Sequence, residues 1–214
     1  MKNGPIFLLG LFVSAVVAWS AMVLGAHAQL GGLTPWFDEA EGLSHPARPT
    51  GLAARGQLVY ADLGCAACHT QQVRRPDFGS DKARGWGDRQ SVARDYIFQE
   101  RPQLGASRVG PDLANLGARK PQPPSSEMLM GLLYAGTERH PAYPFLFENR
   151  RIEGESSLRA LKLSGVSAPP SGFEVVPSER AQSLVAYLLN LSSGYDFPEA
   201  KPLVRTPANQ EAKK

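Results

Sequence analysis

The sequence predicts a mainly α protein, a single helical domain carried on one N-terminal transmembrane helix. Three observations predict it. No Asp, Glu, Lys or Arg occurs between Lys2 and Asp38. Two helical patterns, one beginning near Leu52 and one near Ser178, bracket the domain. Directly behind the first stands Cys65-Ala66-Ala67-Cys68-His69, the C-x-x-C-H spacing at which a haem is joined covalently to protein. The chain accordingly divides into a membrane anchor (1–30), a linker (31–51), a monohaem domain (52–194) and an extended or disordered tail (195–214).

The anchor follows from length and charge. Its densest apolar part, Pro5 to Ala26, is 22 residues. As a helix it spans about 33 Å, enough to cross a hydrocarbon core of roughly 30 Å. Lys2 precedes it, and Asp38, Glu39 and Glu41 follow. The positive-inside preference then leaves the N-terminus in the cytoplasm and exports the residues beyond about 30. This describes a single-pass protein of a bacterial inner membrane with a periplasmic domain, on the face where c-type haem is attached. A cleaved signal peptide is the competing reading, because Ala26-His27-Ala28 resembles a small-x-small processing site. The apolar run exceeds the roughly 7–15 residues of a signal core, which favours a retained anchor.

In C-x-x-C-H the two thiols add to the haem vinyl groups, and the adjacent histidine reaches the iron from a fixed direction. Cys65 and Cys68 are therefore read as the attachment points of one haem c, and His69 as an axial ligand. A disulfide between the cysteines would leave His69 without a role. Zinc would need further ligands at short spacing, which two cysteines and four histidines barely offer. The net charge of +3, with signs interspersed, gives no indication of nucleic acid. Arg74, Arg75, Lys82, Arg84 and Arg89 cluster after the motif. They read as a solvated face, with one or two members near the haem propionates, rather than as a docking patch.

Residues Gly31 to Gly51 are rich in Gly, Pro and small side chains and read as a linker. Leu52 to Leu63 is a short helix stopped by Gly64, with Gly56 and Tyr60 on one face. Ser126 to Gly136 is a further apolar helical stretch. Pro177 and Ser178 open the last helix, Ser178 as its N-cap. Leu184, Tyr187, Leu188 and Leu191 form its apolar stripe, and it stops by Gly194. A glycine on the first helix admits the last one closely, with aromatic rings filling the crossing, an arrangement in which cytochromes c resemble one another. From Tyr195 onward prolines and charges dominate, which predicts the unpacked tail. Trp36, Trp86 and Tyr143-Pro144-Phe145 line either the haem, an interface or ordinary packing.

The sixth iron position decides between electron transfer and ligand binding. Residues of suitable type in the domain are His45, Met128, Met130 and His140. The two methionines lie in the apolar helix, where a core role is the default. His140 precedes Pro141, which biases it to an extended loop backbone, so His140 is the favoured distal ligand, with Met128 or Met130 as alternatives. His45, in the linker, is expected to be solvent-exposed. Gly110-Pro111-Asp112-Leu113 resembles the G-P-x-L loop of cytochromes c. By that resemblance the Pro111 carbonyl accepts the Nδ1–H of His69, fixing its tautomer, and Leu113 packs on the haem.

The resemblance narrows with the order Tyr60-x-x-x-Gly64-Cys65-x-x-Cys68-His69-Thr70-Gln71-Gln72-Val73-Arg74, then Ser91-Val92-Ala93-x-Asp95-Tyr96, Arg101-Pro102, Gly105, Arg108-x-Gly110-Pro111-Asp112-Leu113 and Pro141-Ala142-Tyr143-Pro144. Together with the anchor and Val185-Ala186-Tyr187-Leu188, this resembles subunit II of cbb3-type haem–copper oxidases over residues 5–192. The resemblance implies a chain that is not an enzyme by itself. It would relay electrons to a membrane-embedded haem–copper catalytic subunit, among other respiratory-complex subunits, from a soluble cytochrome c or copper protein. One departure stands out: that family has methionine immediately before Pro-x-Tyr-Pro, where this chain has His140. Alternatives are the cytochrome c subunit of a nitric oxide reductase, a free-standing membrane cytochrome, or a haem sensor with a displaceable sixth ligand.

Overall fold

A computed structural model of the chain describes residues 3–75 and 78–200. They form two compact units. The first comprises the described residues up to Pro46 together with Ala93–Phe98, and the second comprises Ala47–Val92 with the described residues from Gln99 onward.

In the first unit, helix α1 (Gly4–Leu30) has 27 residues and a mean hydropathy of 2.4, and none of its apolar window is buried. It rises about 40 Å. Leu, Ile, Val and Phe side chains stand exposed all round it, the pattern of a helix whose solvent is lipid. A π-helical turn, Ser20–Leu24, interrupts the α hydrogen bonding. The region expected to be plain linker contains a hairpin of β1 (Trp36–Asp38) and β2 (Leu43–His45), paired antiparallel with Trp36 opposite His45. Asp38 makes its turn: Oδ1 accepts the amide of Ala40 at 2.8 Å, and Gly42 supplies a positive φ of 65°. His45 departs from expectation. Its side chain is only 13% exposed and its Nε2 lies 2.9 Å from Glu41 Oε2. The Arg94 guanidinium donates to the Thr34 carbonyl.

The second unit holds α2 (Gly51–Asp62), α3 (Ser126–Ala135) and α4 (Glu179–Asn190). Side-chain caps open two of them: Ser125 Oγ accepts the amide of Met128 at 3.1 Å, and Ser178 Oγ that of Ala181 at 3.3 Å. Helices α2 and α4 cross at Gly56, where a Cβ would lie 2.6 Å from Tyr187 Cβ and collide with the Ser183 carbonyl. The rings of Tyr60 and Tyr187 fill the crossing edge to face, with centroids 5.5 Å apart. Val59, Leu113, Leu129, Leu133, Leu146, Val175 and Leu184 complete the core.

Two features of this unit were not expected. Strands β3 (Phe147–Arg151) and β4 (Phe173–Pro177) pair antiparallel, Phe147 opposite Pro177. Of β3 only Phe147 is buried, so its composition carries no strand alternation. The tail, expected to be unpacked from Tyr195, stays folded to Ala200. Phe197 is buried, Arg89 Nε donates to the Tyr195 carbonyl at 2.6 Å, and the same guanidinium lies over the Phe197 ring at 4.8 Å. One aromatic ring and one cation offset the otherwise polar composition. The rest of the tail, 201–214, lies outside the described residues.

Gly56→Ala is expected to lower stability by about 1–3 kcal/mol through overpacking of the α2–α4 crossing. Gly131→Ala, on α3 with nothing within 4 Å of its Cβ position, is expected to leave stability unchanged or improved. Thermal unfolding followed by circular dichroism checks both, and equal melting temperatures would refute the close-approach account of Gly56.

Candidate haem site

The C-x-x-C-H segment begins where α2 is forced to end. Gly64, at φ 70°, takes the left-handed conformation just past the helix. The 3-10 turn Cys65–Ala67 follows, and the His69 amide closes it onto the Cys65 carbonyl at 3.0 Å. Cys65 is half-buried and Cys68 exposed.

The loop 105–113 wraps this turn. The Gly110 amide donates to the Cys68 carbonyl at 2.9 Å, and the Leu113 amide to the Thr70 carbonyl at 2.7 Å. His69 Nδ1 lies 2.8 Å from the Pro111 carbonyl oxygen. A carbonyl only accepts, so the proton sits on Nδ1 and the lone pair on Nε2. Gly110 makes that approach feasible: a Cβ there would sit 2.7 Å from His69 Nδ1 and closer still to Cε1. Gly105, at φ 82°, is equally constrained, its Cβ position lying 2.8 Å from Thr70 Cα.

Opposite His69 stands His140. Gly136, at φ 65°, ends α3, and a tight turn follows in which the Thr137 amide donates to the His140 carbonyl at 2.8 Å. The two imidazole centroids are 6.2 Å apart, with planes inclined at 45°. His140 Nδ1 lies 2.9 Å from the Pro141 carbonyl oxygen, which again leaves the lone pair on Nε2. Burial lowers the His140 pKa against the opposing effect of that hydrogen bond, and His69 lowers it further. A neutral imidazole is the ligating form. Tyr143 flanks His140 at 6.0 Å between ring centroids, and Phe145 stacks edge-on against Tyr143 at 5.8 Å.

The spacing can be tested against a haem iron. Two metal–imidazole bonds of about 2 Å and two nitrogen-to-centroid distances of about 1.1 Å sum to about 6 Å. The observed 6.2 Å fits an iron between the rings, with Cys65 and Cys68 on the turn that carries His69. Of the alternative distal candidates, Met130 is part of the buried core and Met128 is 58% exposed, while Leu113, on the loop that carries Pro111, is buried in the core against which Cys65 packs. Trp86 sits beneath the guanidiniums of Arg84 and Arg108, at 4.8 and 5.6 Å.

A buried ionic cluster braces the proximal loop, and sequence reasoning missed it. The side chains of Asp81 and Asp112 have 0% exposure. Asp81 accepts the Arg74 amide at 2.8 Å, the Arg74 guanidinium at 3.0 Å and a bond from Arg108. Asp112 accepts Thr70 Oγ1 at 2.6 Å, the Gln72 amide at 2.8 Å and the Ala114 amide at 2.9 Å. Arg74, expected on a solvated face, is thus a structural ion-pair partner, as Arg89 is a partner of the tail. Asp81 carries no hydrophobic pattern, and its partners lie 7 and 27 positions away. Only the Gly110-Pro111 pair gave a local signal.

A family model described as cytochrome c oxidase, mono-heme subunit/FixO, matches residues 14–191. The chain belongs to the FixO family. It is therefore a membrane-anchored, mono-haem cytochrome c, and an electron-transfer subunit of an oxidase complex with a catalytic subunit as partner. No individual curated protein matches the FixO chain described here.

Burial alone would raise the Asp81 carboxyl, but hydrogen bonds from Arg74 and Arg108 outweigh it and bring it from 3.8 to about 2. A depressed folded value means that the stabilisation is complete above about 4 and lost as pH falls through about 2, an effect of about 2 kcal/mol. Denaturant midpoints measured from pH 5 to 2 are expected to fall less steeply in Asp81→Asn than in the unaltered chain. Parallel acid limbs would remove Asp81 from this role.

Proposed function

We propose that this chain relays single electrons from a soluble periplasmic donor, a cytochrome c or copper protein, to the membrane-embedded haem–copper subunit of a cbb3-type oxidase. Its haem would be held by the sulfurs of Cys65 and Cys68 and by the imidazoles of His69 and His140. The observation that carries the reading is the 6.2 Å separation of two imidazoles whose Nδ1 atoms are both occupied by carbonyls. A haem held there supplies one-electron Fe(III)/Fe(II) cycling.

The chain's own residues make that cycling cheap in rearrangement. Pro111 holds the His69 ring in one tautomer and one orientation. The Thr137–His140 turn and the Pro141 carbonyl do the same for His140. With both rings fixed before the electron arrives, neither ligand has to move between oxidation states. The apolar helix α1 would tether the chain to the membrane, which would raise the effective concentration of the relay at its acceptor. The same occupied opposite position argues against a haem sensor, which needs a displaceable sixth ligand.

Replacing the thioether of a His/Met haem by imidazole lowers the reduction potential. His140→Met is therefore expected to raise the midpoint potential and to introduce the weak far-red sulfur-to-iron band. Unchanged visible and EPR spectra would take His140 out of the coordination sphere. Purification of the full chain in mild detergent tests the assignment to an oxidase. A stoichiometric membrane chain with b-type haem and copper is expected to accompany it, whereas recovery as a lone c-haem chain would sink the relay reading.

A further inference from the structure

The His69–Pro111 hydrogen bond joins residues 42 positions apart, so something other than local chain geometry must hold its two ends together. Asp112 is placed to do this. Its carboxylate, fully buried, takes Thr70 Oγ1 and the Gln72 amide on the irregular segment leading away from His69, while its backbone continues directly from Pro111. The donor-side residue and the acceptor-side residue of the ring's hydrogen bond are thereby tied through one side chain. We propose that Asp112 is a positioning residue for the haem, one that fixes the His69–Pro111 bond and whose buried negative charge biases the iron toward the oxidised state. This rests on the assignment of His69 as an iron ligand.

The charge argument follows from the cluster's composition. Asp81 and Asp112 face the guanidiniums of Arg74 and Arg108, and the half-buried Arg119 guanidinium feels the Asp112 charge as well. Arg108 is bonded principally to Asp81 and to the Gln72 carbonyl, and stands 3.6 Å from Asp112. Arg119 donates to the Asp112 backbone carbonyl rather than to its carboxylate. Removing the Asp112 charge therefore makes the surroundings of the proximal loop more positive by one unit. In a low-dielectric interior such a charge acts on the iron with little screening. An added positive charge disfavours Fe(III), so the potential must rise. Loss of the carboxylate's grip on Thr70 and Gln72 acts in the same direction, because a looser Pro111 bond makes His69 a weaker donor.

The test is the midpoint potential of the haem-loaded full-length chain, by optical spectroelectrochemistry at pH 7. In Asp112→Asn the Fe(II)/Fe(III) ratio at a fixed solution potential is expected to rise about tenfold, equivalent to about 59 mV for one electron. Asp112→Glu, which keeps the charge, is expected to stay within twofold of the unaltered chain. A potential unchanged in Asp112→Asn, with only the melting temperature lowered, would reduce Asp112 to a structural brace and overturn the proposal. If Asp112→Asn fails to load haem, Thr70→Val decides: it removes one bond and no charge, so a raised potential supports the positioning role and an unchanged one overturns it. Failure of the ligand assignment itself is separately visible, since the unaltered chain would then lack a six-coordinate, low-spin c-haem spectrum.

Discussion

The hydrogen bond from the His69 imidazole to the Pro111 carbonyl constrains more of this molecule than any other single contact. Its geometry requires the loop 105–113 to lie flat against the Cys65–His69 turn, and that in turn requires two glycines. At Gly110 a methyl group would occupy the space of the ring, and at Gly105 it would meet the backbone of Thr70. The loop is then too polar to be held by the core alone. Of its described side chains only Leu113 joins the apolar cluster. The fold substitutes charge for apolar area, using Asp81 and Asp112 with Arg74 and Arg108. Buried ion pairs are a weak source of net stability but tolerate few alternative arrangements. That suits a loop whose task is to fix one ring.

What was legible in the sequence divides along the same line. Features set by local chemistry were readable: the lipid-facing helix from its uncharged run, the Gly64 stop, the Ser178 cap, and the Gly56 crossing from the pairing of a glycine and an aromatic with an apolar stripe. Features set by long-range polar partners were not. Asp81 is an unremarkable acid in a loop until Arg108, 27 positions on, is brought to it. Strand β3 is one buried phenylalanine followed by Glu148, Asn149, Arg150 and Arg151. It is a strand because Val175 and Val176 on β4 need pairing and bury their side chains, a tertiary requirement that overrides its own composition. Phe197 was lost for the complementary reason: a single aromatic in a polar stretch gives no period, yet Arg89 and the Tyr195 ring help to seat it.

The two faces of the proposed haem site are built in different ways, and this bears on why one ligand is the familiar residue and the other is not. His69 is fixed by a bond reaching across about forty positions and, on the proposed reading, by the attachment of the haem at the neighbouring cysteines. Exchanging it would disturb the turn, the loop and the ionic cluster together. His140 is fixed locally, by a four-residue turn after Gly136 and by the carbonyl of the next residue. A side chain whose hydrogen bonds lie within its own turn can be replaced with little repacking of the domain. A change of ligand type, and with it of reduction potential, is therefore structurally easiest on the His140 side. The departure of this chain from the methionine that precedes Pro-x-Tyr-Pro in cbb3 subunit II falls at that position. On the proposed reading, the fold leaves the potential adjustable at one residue while the rest of the relay, from anchor to proximal loop, stays as it is.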